Sequence, residues 1–194
     1  RVMNGIYFDL TPECLSIVAT DGHKLVRNKV LNITSESPAS FILPKKPATL
    51  LKGMLNKDGG DVVIKFDDRN AEISFSDGTL TCRLIEGRYP NYNSVIPASN
   101  PNQLRVDRLA LLSALRRVQP FANGSSNLIR FRIDNGVLQL DAEDSSFIEI
   151  LGNFESSDVI LQLADPSRAG LVIPSEQPEN QDVLMLLMPM LLND

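Results

Sequence analysis

The sequence of 194 residues contains no tryptophan, one histidine and two cysteines. Cys14 and Cys82 stand far apart without a CxxC motif, which argues against a zinc cluster and indicates free thiols in a reducing compartment. No apolar run approaches the ~20 residues of a membrane span, and the opening residues do not resemble a signal peptide. These absences predict a cytoplasmic protein with no metal site and no cofactor.

The single histidine, His23, follows Asp21 and Gly22, so an acid–base pair is one interpretation of this segment. A hydrolase would also need a nucleophile and an oxyanion site, and the sequence has no GxSxG motif. The other interpretation is a turn between two strands, for which Asp and Gly are the typical residues. We favour the turn and expect no catalytic residue.

The charges are distributed unevenly along the chain. The sequence has 19 basic and 24 acidic residues, a net charge of −5, yet two predicted helical stretches are almost purely basic. Such sorting suits helices that face a polyanion, although Lys and Arg are also good helix formers in general. The stretches are residues 43–57, with Lys45, Lys46, Lys52 and Lys57, and residues 104–118, with Arg105, Arg108, Arg116 and Arg117 against Asp107.

Hydrophobic periodicity predicts a repeated unit of one helix followed by antiparallel strands, and hence an α+β fold of pseudo-symmetric domains. Segments rich in Asn, Ser and Pro are typical linkers, and residues 91–101 fit this description. The predicted helices cover residues 47–56, 106–118 and 148–154. The predicted strands cover residues 3–9, 14–20, 61–66, 71–75, 79–84, 128–133, 136–141, 159–164, 170–173 and 182–188.

The second repeat differs from the first, because it has two predicted strands before the next helix where the first has three. We therefore expect that a segment is missing between Phe147 and Ile148. The first hairpin likewise has no predicted helix before it.

Three motifs resemble the bacterial DNA polymerase III sliding clamp family, the beta subunit, in order and nearly in spacing. They are VATDGHKL at residues 18–25, RLIEGRYPNY at 83–92 with VIP at 95–97, and MPM at 188–190. Asn4-Gly5 and the VDRL of residues 106–109 agree with the same family, and the resemblance covers essentially the whole chain. Residues 41–46 and 191–194 resemble the Bacteroidetes branch.

The resemblance implies the DNA-clamp fold, with sheets outside and helices lining a ring. Residues 1–97 match the second clamp domain without its first helix, residues 98–194 match the third, and the first domain is absent. The family protein is a homodimeric, non-catalytic subunit of the replicative polymerase holoenzyme. It is the processivity factor of DNA replication and encircles duplex DNA.

The DNA-facing residues would then be the cations of the two helical stretches, which attract phosphate without reading bases. On a helical wheel, three arginines share one arc, and two lysines lie opposite apolar residues 50, 51, 54 and 55, which we expect to pack on the sheet. The set is Lys45, Lys46, Lys52, Arg105, Arg108 and Arg116.

The resemblance also implies a hydrophobic cleft between the second and third domains, which receives short linear motifs of polymerases, the clamp loader and repair proteins. Ser94 departs from the arginine of some relatives, which could alter motif preference. A peptide-binding adaptor without DNA function is the alternative. The matching positions are Met3, Thr20, Gly22, His23, Lys24, Leu25, Pro90, Ser94, Val95, Ser167, Ala169, Leu186, Leu187, Met188, Pro189 and Met190.

Overall fold

A computed structural model describes residues 2–55, 59–118, 129–134, 136–142, 146–165 and 167–188. The chain divides into two compact units. None of the helices in the described residues is long and apolar enough to cross a membrane. The first unit comprises Arg1–Asp21, Val26–Asn93 and Asn180–Asp182, and the second comprises Gly22–Leu25, Ser94–Glu179 and Val183–Asp194.

The first unit contains strands in the order β4-β1-β2-β3, helix α1, and a separate three-stranded sheet in the order β5-β6-β7. In the turn of the β1–β2 hairpin, the N–H of Thr11 donates to the carbonyl of Cys14 at 3.0 Å. The elements are β1 (Gly5–Leu10), β2 (Leu15–Thr20), β3 (Lys24–Val30), β4 (Ala39–Pro44), α1 (Lys45–Met54), β5 (Val63–Phe66), β6 (Asn70–Phe75) and β7 (Gly78–Arg83).

Asn180–Asp182 belongs to the first unit because it is bonded to the end of β3. The N–H of Leu31 donates to the carbonyl of Asn180 at 2.8 Å. Arg27, which is buried, forms an ion pair with Asp182 at 2.8 Å. These contacts attach Asn180–Asp182 to the first unit, although these three residues are far from the rest of that unit in the sequence.

The core of the first unit lies under α1, where Leu51 packs with Leu43, Ala71, Ile73 and Leu84. The helix begins at Lys45, two residues before the predicted start, and Pro47 falls in its first turn, where no hydrogen bond is lost.

Leu51 is 8% exposed, but Leu50, Met54 and Leu55 are 47%, 44% and 37% exposed. The prediction that all four pack on the sheet is therefore wrong for three of them. A regular helix turns by ~100° per residue, so these four apolar residues cover a wide face of α1, and the sheet covers only the part of that face at Leu51.

The second unit contains strands in the order β13-β12-β11-β8, a β9–β10 hairpin, and two helices that pack on each other. Buried leucines of α2 and buried Ile150 and Leu151 of α3 form part of its core. The elements are β8 (Asn102–Asp107), α2 (Arg108–Val118), β9 (Ile129–Asp134), β10 (Val137–Ala142), α3 (Ser146–Gly152), β11 (Asp158–Leu163), β12 (Gly170–Pro174) and β13 (Gln181–Leu187).

Helix α2 begins at Arg108, so the predicted helix start at residue 106 is wrong by two residues. Asp107 accepts the N–H of Ala110 at 2.6 Å and caps the helix, while the residues before it pair with β11. Arg105 consequently lies in strand β8. The single helical arc proposed for Arg105, Arg108 and Arg116 is therefore wrong.

Residues 91–101, interpreted as a linker, are anchored at two points. Tyr92 is buried in a short 3-10 turn, Tyr92–Val95, and donates its hydroxyl to Asp9 at 3.1 Å. Asn100 is also buried. The division between the units falls after Asn93, close to the boundary expected after residue 97.

Phe147 and Ile148 both lie in α3, which begins two residues before the predicted helix. Within the described residues, the second repeat has strands β9 and β10 before this helix, as the sequence predicts. The missing segment expected between these residues stays a prediction.

Candidate functional site

The segment Gly22–Leu25 leads into β3, which begins at Lys24, and belongs to the second unit. Gly22 has φ +91°, a conformation that suits glycine, so the predicted turn after β2 is confirmed. The carbonyl of His23 accepts the N–H of Met188 at 2.8 Å. Two stretches that the clamp resemblance assigned to motif binding, far apart in sequence, are therefore neighbours within this unit.

The side chains of this segment differ in what they can offer a ligand. His23 is exposed, whereas Leu25 is buried in the core. The ammonium of Lys24 forms an ion pair with Glu149 of α3, with 2.6 Å between Nζ and Oε2. Both groups contact solvent, so we expect the pair to stabilise the fold by at most ~1 kcal/mol and to act mainly by orienting Lys24.

The end of β13 changes from core to surface within two residues. Leu186 is buried, Leu187 is half-buried and Met188 is 40% exposed. Exposure thus begins at Met188, one residue before Pro189. Pro189 and Met190 lie outside the described residues, as does Lys57.

The connection from β11 to β12 carries Ser167 and Ala169. The N–H of Ser167 donates to Asp165 at 2.9 Å, and its hydroxyl donates to the same carboxylate. These two bonds and the charge of Arg168 hold the pKa of Asp165 below its usual value. The connection therefore has a fixed, charged turn beside the buried Ala169.

The remaining docking candidates of the second unit are Ser94 and Val95, at the end of the 3-10 turn. Both are exposed. Together with Met188, Val95 gives this unit two accessible apolar side chains from the predicted set.

Met3, Thr20 and Pro90 belong to the first unit, where Met3 and Pro90 line two different cavities. Met3 lines a cavity of about 390 Å³ together with Lys45 and Lys52. Pro90 lines another of about 450 Å³, beside buried Tyr89 and Tyr92. Burial raises the pKa of both tyrosine hydroxyls above its usual value.

The six predicted DNA-facing cations fall into two groups. Lys45, Lys46 and Lys52 are exposed on α1, and Arg116 is exposed near the end of α2. Arg105 instead pairs with Asp158 at 2.7 Å.

Arg108 is half-buried and donates from Nε to the carbonyl of Ser156 at 2.8 Å and from Nη1 to that of Leu151 at 3.3 Å. Its guanidinium therefore holds the end of α3 to the following loop, a role that its spacing in the sequence did not reveal.

Residues 1–91 match the family described as the DNA polymerase III beta subunit, central domain. The beta sliding clamp of Borreliella burgdorferi is 29% identical over 98% of this chain and 55% of its own length. The chain belongs to the beta sliding clamp family. The prediction made from its three motifs is confirmed.

Solved clamp structures have the same fold as this chain. The beta subunit of Pseudomonas aeruginosa superimposes with a TM-score of 0.89 at 24% identity, over 98% of this chain and 58% of that one. The clamp of Bartonella birtlesii, solved bound to griselimycin, gives 0.83 at 26% identity over 98% and 59%. The α+β clamp fold is thereby confirmed, and the chain spans between half and two thirds of the length of these relatives.

Two residues of this clamp-family chain were missed by the sequence reasoning. Glu149 pairs with Lys24, and Asn100 bonds the carbonyl of Ala169 at 3.0 Å. An asparagine directly before a proline was the available signal for Asn100, because such a pair is typical of a turn in which the amide bonds to the main chain.

Proposed function

We propose that this chain is part of a DNA sliding clamp, the processivity factor that encircles duplex DNA and tethers polymerases and the clamp loader through a hydrophobic motif-binding site. The bond between His23 and Met188 carries the proposal, because it joins the two most specific motifs of the sequence. Since the chain spans 55% of the Borreliella burgdorferi relative, ring closure as a homodimer requires residues beyond these 194.

The docking chemistry rests on apolar side chains that the fold leaves accessible. Met188 and Val95 are about 40% exposed at the edges of a well-packed unit whose neighbouring Leu186 and Leu25 are buried. A ligand that covers such side chains gains about 25 cal/mol per Å² of apolar surface removed from water. Leucine and phenylalanine anchors of a short peptide fit this surface, at micromolar affinity after the cost of ordering the peptide.

The lysines of α1 support the DNA part of the proposal. The first turn of α1 contains Lys45 and Lys46 and no acid. Cations at a helix N-terminus are disfavoured by the helix dipole by ~0.3–1 kcal/mol each, so helix stability does not explain them. We infer that attraction to the phosphates of DNA explains these two lysines. Arg116, in the last turn of α2, is favoured by the dipole and supports the proposal less.

The domain assignment is also part of the proposal: residues 1–97 as the second clamp domain without its first helix, and residues 98–194 as the third. In the second unit, β8 pairs with β11 and α2 packs on α3. In the first unit, β5 and α1 expose apolar side chains such as Val63, Phe66 and Leu50. A preceding strand and helix would cover them.

The proposal includes a missing segment between Phe147 and Ile148, which is consistent with the match to the Borreliella burgdorferi clamp. That match extends over 219 aligned positions, more than the 194 residues of this chain. We further propose a cytoplasmic, non-catalytic protein, as the clamp family implies.

The docking site is tested with a fluorescent peptide that carries a glutamine followed by leucine and phenylalanine. Met188→Ala should weaken binding about tenfold, because it removes much of an accessible apolar side chain from the contact. Leu109→Ala is the matched control, since Leu109 is 61% exposed on α2 of the same unit.

Equal affinity of the wild-type chain and Met188→Ala would place the docking site elsewhere. Competition by griselimycin, which the Bartonella birtlesii clamp binds, offers an independent probe of the same surface.

A further inference from the structure

Asn100 occupies an unusual place in the second unit. It immediately precedes Pro101 and strand β8, and only 7% of its surface is exposed. Its Nδ2 donates to the carbonyl of Gln162 at 2.9 Å and to the carbonyl of Ala169 at 3.0 Å. One side-chain amide therefore satisfies two main-chain acceptors.

These two acceptors lie on opposite sides of the connection between β11 and β12. Gln162 pairs with Leu171 in the antiparallel ladder, so Ala169 comes just before the paired region. The backbone of Gly170 lies so close to the side chain of Leu163 that a Cβ added to Gly170 would lie 3.1 Å from Leu163 Cδ2. The amide of Asn100 thus bonds both ends of the connection between β11 and β12.

The interior of this connection is held by a different residue. Asp165 accepts the N–H of Ser167 at 2.9 Å through its carboxylate, and its carbonyl accepts the N–H of Arg168 at 3.1 Å. These hydrogen bonds join residues within the connection, whereas Asn100 bonds its two ends, at Gln162 and Ala169.

Asparagine suits this role for a chemical reason. Its amide nitrogen carries two N–H donors, whereas aspartate carries none and serine carries one. Buried carbonyls without a donor are costly, so both must be satisfied where strand pairing ends. The following proline keeps Asn100 extended, which directs the amide across the end of the sheet.

We propose that Asn100 is a positioning residue of the docking site. By bonding both carbonyls it holds the connection that carries the exposed Ser167 in the place where a docked motif meets that serine, although Asn100 is too buried to touch the motif. The inference rests on the proposed function and adds a residue that acts through its neighbours.

The test compares the wild-type chain with Asn100→Asp, using the same fluorescent peptide. At pH 8 the aspartate is charged, donates to neither carbonyl and repels both, so the dissociation constant should rise about tenfold or more. At lower pH the carboxyl becomes protonated and regains one donor, so part of the affinity should return. The charged groups of the connection, Asp165 and Arg168, are common to all the proteins compared, and wild type measured at each pH corrects for their titration.

Asn102→Asp is the matched control, because it introduces the same charge two residues away at an exposed position. It should bind like wild type at every pH. Urea unfolding establishes that each variant is folded, and Asn100→Ser, which keeps one donor, replaces Asn100→Asp if the aspartate variant is unfolded. The serine variant should show a smaller loss.

Wild-type affinity in a folded Asn100 variant at pH 8 would overturn the inference, and so would a loss that lower pH does not relieve in Asn100→Asp. In both cases Met188→Ala would still report on the proposed function. Failure of the wild-type chain to bind the peptide would overturn the proposed function together with the inference.

Discussion

Replacing Arg108 by methionine tests whether this arginine stabilises the fold, as its hydrogen bonds indicate, or faces DNA, as its charge suggested. The guanidinium donates to Ser156 at 2.8 Å and to Leu151 at 3.3 Å, and Leu151 lies in the last turn of α3. Carbonyls at a helix C-terminus have no partner within the helix, and the dipole favours a cation there. Methionine keeps most of the apolar stem and removes both bonds.

The expected loss of stability follows from these two hydrogen bonds. A hydrogen bond from a charged donor contributes ~1.5–3 kcal/mol, but the greater length of the second bond and the partial exposure reduce the sum, so we expect a loss of about 2 kcal/mol. In a domain of about 100 residues, the size of the second unit, that lowers the melting temperature by about 8–16 °C. Urea unfolding gives the free energy and differential scanning calorimetry gives the temperature.

Arg116→Met is the matched control, on the same helix with an exposed side chain. It should change the free energy of unfolding by less than ~0.5 kcal/mol. Equal effects of the two substitutions, or full stability of the Arg108 variant, would refute the structural role and return Arg108 to the DNA-facing group.

Two further predictions concern DNA and pH. Lys46→Gln with Lys52→Gln should weaken duplex binding equally for all sequences and reduce the slope of log K against log salt by ~0.9 for each phosphate that is no longer neutralised, measured by fluorescence anisotropy. A sequence-selective loss of affinity would contradict this, and unchanged binding would favour the adaptor. Asp67 accepts the N–H groups of Arg69 and Asn70, both at 2.7 Å, which lowers its pKa from 3.8. Because the pKa of Asp67 is lower in the folded than in the unfolded state, its ionised carboxylate stabilises the fold fully above pH 3.8. This stabilisation is lost as the pH falls through the folded pKa. Asp67→Asn should therefore lessen the acid destabilisation that urea titrations measure.

Local sequence determined those features that depend on neighbouring residues. The Asp-Gly pair at residues 21–22 predicted the turn that Gly22 makes with φ +91°. Alternating apolar residues predicted β6, and helical spacing predicted the bodies of α1 and α2. Turn geometry and periodicity are properties of a few consecutive residues, so they survive in almost any tertiary context. The clamp fold, in contrast, was implied by the resemblance of the three motifs to a known family.

Tertiary structure decided which of the charged and apolar side chains remain available. Arg105 and Arg108 are equivalent to other cations in the sequence, yet partners about 45–55 positions away engage both. Leu50 and Leu51 are neighbours with the same side chain, and only Leu51 is buried.

The candidate docking site shows the same division. The motifs named Gly22–Leu25 and Met188, but the hydrogen bond across 165 residues that makes them neighbours depends on how β13 folds back. Asn100 and Glu149 were missed because their partners are distant in sequence. Periodicity records which face of an element is apolar, whereas the partner that covers that face is set by chain topology, which a local pattern does not encode.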